Sequence, residues 1–124
     1  MNLEKVVFGF FIVLAATLNF GFVYGDPANP DHHHLWEFFA AFVVNVIATA
    51  LKFGDRTQIG AIHLATSLVA VLQLIAAALV WFFAPETPLP ESWMVSIVSL
   101  SAGALLANGI SIAILIVETL TLRR

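Results

Sequence analysis

"GAIHLATSLVAVLQLIAAALVWFFA", residues 60–84, contains no Asp, Glu, Lys or Arg. A helix rises about 1.5 Å per residue, so a charge-free stretch of this length crosses the roughly 30 Å of hydrocarbon in a bilayer. Working outward from it, Val6–Gly25, Leu35–Leu51 and Trp93–Thr121 have the same character, broken only by Glu37 near the start of one and Glu118 near the end of another. Hydrophobic residues make up 60% of the chain, charged residues 10%, and the mean hydropathy is +0.97. A soluble domain of 124 residues would not stay in solution with that composition. The expectation is an all-α membrane protein with a single domain over 1–124, whose spans cover about 6–25, 35–51, 60–84 and 93–121.

The connections, "DPANPDHHH", "KFGDRTQI" and "PETPLPES", are short. Short turns place successive helices antiparallel, which gives an up-down-up-down four-helix bundle. Every basic residue (Lys5, Lys52, Arg56, Arg123 and Arg124) then falls on one side, and Asp26, Asp31, Glu37, Glu86 and Glu91 on the other. By the positive-inside rule the basic side is cytoplasmic, with both termini there and the chain multi-pass. Tyr24, Trp36, Trp81 and Trp93 fall at the outer aromatic belt. The first span has Glu4 beside Lys5 and no small-x-small cleavage site before "YGDP", so it reads as retained rather than as a signal peptide. The chain has no cysteine, which excludes disulfides and thiolate metal sites.

Three clusters are candidates for chemistry. At the outer side, "NPDHHHLWEFF" (29–39) reads as an N-cap and first-turn proline, so the second helix is expected to begin there and to carry His32 to Glu37 on its first two turns. His33 and Glu37 are then four apart and His34 and Glu37 three apart, facing one point, with Asp31 or Asp26 able to join from the loop. Imidazole with carboxylate suits a divalent metal, or a pH sensor. The plainer reading is the wet rim of a helix, and no cofactor is otherwise indicated.

Polar and small residues also recur at steps of three and four. The stripes are Ala41, Asn45, Ala48 and Lys52; His63, Thr66, Ala70, Gln73 and Ala77; Ser101, Ala104, Asn108, Ser111 and Glu118; and, more weakly, Ala16 and Asn19. Asn45, Gln73 and Asn108 fall near mid-span, so three amides are expected in one layer. Such groups must find partners, because hydrocarbon supplies none. Interhelical hydrogen bonding is one reading, and a polar lining for an ion or small solute, with Ser101 and Ser111, is the other. The third cluster, at the cytoplasmic end, is His63, Glu118, Asp55 and Arg56, with Asp55 expected to cap the third helix.

Comparison with known small four-span families removes several. The first span lacks the mid-membrane glutamate of small multidrug exporters and the glycine-rich, arginine-bearing pattern of fluoride channels, and the chain has no TVGYG-like filter. Through "LKFGDRTQIGA" (51–61), "LATSLVAVLQLIAAALVW" (64–81) and, more loosely, "MNLEKVVFGFFIVLAATLNFGF", the chain resembles an uncharacterised family of small four-span inner-membrane proteins of Gram-negative bacteria. The resemblance covers the first three spans, and the GDRTQIG turn is its most specific part. It implies bacterial origin, the four-span fold and an association with cation transport, without assigning an activity.

Two function classes follow. One is a homo-oligomeric channel-like or cation-transport protein; the other is a non-conducting accessory or assembly subunit bound to a larger membrane protein. Lipid is a partner in both and nucleic acid in neither. No nucleophile–base pair or phosphate loop is apparent, so the chain is not expected to be an enzyme.

Overall fold

The computed structural model describes residues 3–84 and 90–122. Four helices, α1 (Leu3–Val23), α2 (Leu35–Lys52), α3 (Gln58–Phe82) and α4 (Glu91–Leu122), carry the fold, with a short 3-10 turn at Pro30–His32 between the first two. All four are long and apolar enough to cross a membrane. Their 21, 18, 25 and 32 residues correspond to about 32, 27, 38 and 48 Å. α1 begins three residues before the expected span, α3 two before and α4 two before, because polar first-turn residues such as Glu4 and Glu91 extend a helix beyond its apolar stretch.

Each helix packs on its neighbours in sequence, and α4 returns to close the ring against α1. Contacts at the two ends establish the alternation of direction. At one end the start of α1 meets the end of α4 through Lys5 and Glu118, and the start of α3 meets α4 through His63 and Ser111. At the other end Phe22, Phe38 and Trp81, from the end of α1, the start of α2 and the end of α3, form a ring cluster with centroids 5.2 to 5.8 Å apart.

Much of the bundle interior is alanine, and many large apolar side chains face outward. Ala15, Ala41, Ala48, Ala70, Ala77, Ala104 and Ala107 are buried, whereas Phe10, Leu72, Phe82 and Leu106 are more than 60% exposed. Water would favour the reverse. Helices that associate in lipid have no hydrophobic drive and rely on close approach, which small residues allow.

The α2–α3 connection shows how local chemistry sets the hairpin. Gly54, at φ +90°, supplies the left-handed residue that ends α2. Asp55 accepts from the Thr57 N–H at 3.0 Å and from its hydroxyl at 2.8 Å. Thr57, not Asp55, is the N-cap of α3, accepting from the Gly60 N–H at 2.9 Å. The expected cap is thus displaced by two residues: Asp55 orients the cap instead of being it. Gly60 is required by space, since a Cβ there would overlap the Asp55 carboxylate.

Candidate functional site

The end of the bundle bearing Lys5, Lys52 and Arg56 opens as a cleft of about 570 Å³, lined also by Glu4, Asp55, Thr57 and Glu118. Two ion pairs line it, Lys5 with Glu118 at 3.0 Å and Lys52 with Asp55 at 3.5 Å. The Lys52 ammonium also lies 4.3 Å from the centroid of Phe8, whose ring meets His63 edge-on at 4.9 Å. Hydrogen bonds from the Thr57 N–H and hydroxyl, and then the Lys52 charge, hold the Asp55 carboxyl below its ordinary pKa. Arg123 and Arg124 lie outside the described residues, as does Glu86 of the opposite connection.

From this cleft a series of polar side chains leads inward. Glu118 is 13% exposed, with Oε1 3.8 Å from His63 Nε2. That separation is within ionic reach and beyond a hydrogen bond, so Nε2 has no hydrogen-bond partner. On its other edge, His63 Nδ1 pairs with Ser111 Oγ at 2.8 Å. Ser67 is four residues further along α3 and Asn108 three residues back along α4, so both stand about one turn deeper, roughly 5 Å. On α2, Ala48 packs with Phe8 and Ile12, and Asn45 is again one turn deeper. Asn45, Ser67 and Asn108 therefore occupy one level on three helices, each no more than 1% exposed.

These groups do not hold the helices together by hydrogen bonds. Asn45 Nδ2 donates to Ala41 O at 2.9 Å, and Thr49 donates to Asn45 O at 2.8 Å, both within α2. Asn45 Oδ1, Ser67 Oγ, Ser101 Oγ and both polar atoms of the Asn108 amide have no hydrogen-bond partner. Each such atom, buried without a partner, costs about 1–3 kcal/mol. Beyond them, Asn19, with its amide oriented to suit its surroundings, donates to Ser101 O at 3.3 Å and accepts from Leu105 N at 3.2 Å. The polar series then stops at an apolar block formed by Phe22, Phe38, Leu74, Met94 and Ile97, with Trp81 against it.

Gln73 departs from the expected three-amide layer. It is half-buried, and its amide lies over Gly103, where a Cβ would sit 3.1 Å from it. Gly103 is five residues from Asn108, so Gln73 stands about 8 Å nearer the aromatic end, at the α3–α4 edge. The polar member that α3 contributes to the interior at the Asn45–Asn108 level is Ser67, which the sequence stripe passed over in favour of Thr66.

At the opposite end the histidine segment is built differently from the expected helix start. Asn29 does cap a turn, accepting from the Asp31 N–H at 2.9 Å, but that turn is the separate 3-10 segment, and α2 begins only at Leu35 with His34 as N-cap. His33 has extended backbone, φ −130°, and its buried ring sits between two carbonyl oxygens, those of Phe22 at 2.5 Å from Nδ1 and Asp26 at 2.8 Å from Nε2. Backbone occupies both edges of the ring, so His33 ties the loop to the end of α1, and the helical spacing expected between His33 and Glu37 does not form. Asp31 and His34 are exposed, and the Glu37 carboxylate lies against Gly21 of α1. Among the described residues, no three His, Asp or Glu side chains gather as a metal site would require.

Residues 32–119 match a family described as a family of unknown function, DUF6394. The chain belongs to that family. The DUF6394 match begins at His32 and ends just past Glu118, so it takes in Asn45, His63, Ser67, Asn108 and Ser111 and leaves out α1 with Lys5, Phe8 and Asn19. It thus includes the fourth helix and omits the first, whereas the resemblance read from sequence covered the first three. No curated protein and no solved structure matches the chain.

Proposed function

We propose that this chain is a homo-oligomeric, channel-like or cation-transport protein of the bacterial inner membrane, with its Lys- and Arg-bearing end in the cytoplasm. The observation that carries the reading is the buried polar series that runs from the paired Glu118, His63 and Ser111 to Asn45 Oδ1, Ser67 Oγ, Ser101 Oγ and the Asn108 amide, which have no hydrogen-bond partner. Groups that only fixed packing would bond across the helices, as His63 and Ser111 do; Asn45, Ser67, Ser101 and Asn108 leave their oxygens free inside a span, where ion and solute pathways place such groups. The aromatic block closes the far end, so passage requires that block to open, as a gate would. Orientation rests on Lys5, Lys52 and Arg56 sharing one end while Asp26, Asp31 and Glu37 share the other.

Oligomerisation is supported by Gln73, a mid-span amide at the α3–α4 edge that hydrogen-bonds to no other described residue. An amide both donates and accepts, so a second copy of itself satisfies it. An enzymatic role is not part of the proposal. Glu118, His63 and Ser111 line up as carboxylate, imidazole and hydroxyl, but Glu118 stands 3.8 Å from His63 and is not hydrogen-bonded to it, so the imidazole is not held as a general base would be.

The test is cation flux in liposomes containing the purified protein alone, comparing potassium, sodium and protons at about pH 5.5 and about pH 7.5. The proposal expects flux that falls to background in an Asn45→Leu, Asn108→Leu variant. A folded, oriented and silent wild type would make the accessory-subunit role the better reading.

A further inference from the structure

We infer that the bundle interior holds a site for one monovalent alkali cation, formed by the side-chain oxygens of Asn45, Ser67 and Asn108. The inference rests on the transport reading and adds to it the class of ion and the place where it is held.

The three residues come from α2, α3 and α4, stand at one level and are 0%, 0% and 1% exposed. Ala15 of α1 is ten residues from Lys5, as Asn108 is from its partner Glu118, so α1 brings a buried alanine to this depth. The Asn45 amide donates one N–H to Ala41 O, and its oxygen has no partner. Ser67 adds a free hydroxyl and Asn108 a free carbonyl oxygen. Two of these oxygens carry no proton and can only accept, which suits a cation or a water; the donors at this level are the Ser67 hydroxyl and the Asn108 Nδ2, which also has no partner.

Charge decides the valence. The nearest carboxylate on α4, Glu118, is ten residues from Asn108, about 15 Å along the helix, and it is already paired with Lys5. A divalent ion is held by carboxylates, and transition metals take imidazole or thiolate. Neutral oxygens alone suit a monovalent alkali ion, which they hold by replacing part of its hydration shell. The ion would exchange past Ser111 and His63 with the cleft at the basic end, since Phe22, Phe38 and Trp81 close the other.

The test uses the purified full-length protein in detergent, unfolded thermally in sodium chloride, potassium chloride or choline chloride at equal ionic strength. A ligand that binds only the folded state raises the melting temperature as its concentration passes its Kd, and choline, a bulky organic cation, serves as the control for ionic strength. The expected result is a saturable rise in sodium or potassium over choline in the wild type. Asn108→Leu and Asn45→Leu should lose that rise while melting in choline at or above the wild-type temperature, because unpartnered groups have been removed. Ser67→Ala, the mildest change, should weaken the apparent affinity about tenfold, equivalent to the loss of one ligand.

Equal melting in all three salts would overturn the inference, as would an undiminished cation response in Asn108→Leu, because water or packing alone would then account for the layer. Flux in liposomes without a cation-specific rise refutes this site and leaves the transport reading standing. A cation-specific rise in a protein silent in liposomes keeps the site and refutes transport.

Discussion

Replacing Glu118 with glutamine removes a charge that joins three helices while leaving shape and volume nearly unchanged. Its Oε2 lies 3.0 Å from Lys5 on α1 and its Oε1 3.8 Å from His63 on α3. At an effective dielectric constant near 20, a pair at about 4 Å is worth roughly 4 kcal/mol before desolvation and side-chain entropy are subtracted. Exposed pairs net about 0.2–1 kcal/mol, whereas removing one partner from a buried pair costs about 3–5 kcal/mol. Glu118 is 13% exposed and Lys5 30%, so the pair lies between these limits. The expected loss for Glu118→Gln is about 1–3 kcal/mol. The assay is a double-mutant cycle with Lys5→Met, read by reversible unfolding in mixed micelles. A coupling energy of about 1–2 kcal/mol is expected. Additivity within about 0.4 kcal/mol would mean that the two residues do not sense each other, and the account of that end would be wrong.

Three further outcomes follow from the same structure. Gly60→Ala pushes the Asp55 carboxylate off Thr57 and should cost about 1–2 kcal/mol in an unfolding titration, with the loss much reduced when Asp55 is already alanine. The pKa of Asp55 is lowered by folding, so its ionised form contributes stability at pH values above the ordinary carboxylate pKa of about 3.9, and that contribution fades as pH falls below it. In Asp55→Asn the acid limb of the stability profile should flatten, as measured by thermal unfolding from neutral pH downward. Gln73→Leu should shift the protein toward monomer by about 0.5–2 kcal/mol of association free energy, measured by energy transfer between labelled copies in liposomes; unchanged transfer would separate Gln73 from any interface.

The four helices were legible because long charge-free stretches mark helices apolar enough to cross a membrane, whatever face each one packs. The interior of α4 was legible for a related reason: Ser101, Ala104, Asn108 and Ser111 leave little choice of face, and all four are buried. On α3 two stripes compete. Thr66 with Gln73 and Ser67 with Leu74 both satisfy steps of three and four, and polarity favoured the first. Packing chose the second, burying Gly60, His63, Ser67, Ala70, Leu74 and Ala77 and leaving Gln73 at the edge over Gly103. The histidine segment was misread because a capping signal is local. Asn29 and Pro30 start a turn, but whether that turn continues depends on the two carbonyl oxygens, of Phe22 and Asp26, that hold the His33 ring. The aromatic block had no signature of its own, since Phe22, Phe38 and Trp81 are distant in sequence and each fits a lipid-facing or interfacial position equally well.

On the proposed reading the polar interior communicates with the basic end and not with the other, and the absence of cysteine makes this directly measurable. Ser67→Cys is a near-isosteric change at the level of Asn45 and Asn108. In oriented membrane vesicles, silver ion, a monovalent thiol-reactive cation of alkali-ion size, should modify that cysteine when added on the side of Lys5, Lys52 and Arg56, and leave it intact when added on the side of Asp26 and Asp31. Modification from the acidic side alone, or from neither side in a variant that retains native flux, would contradict the account.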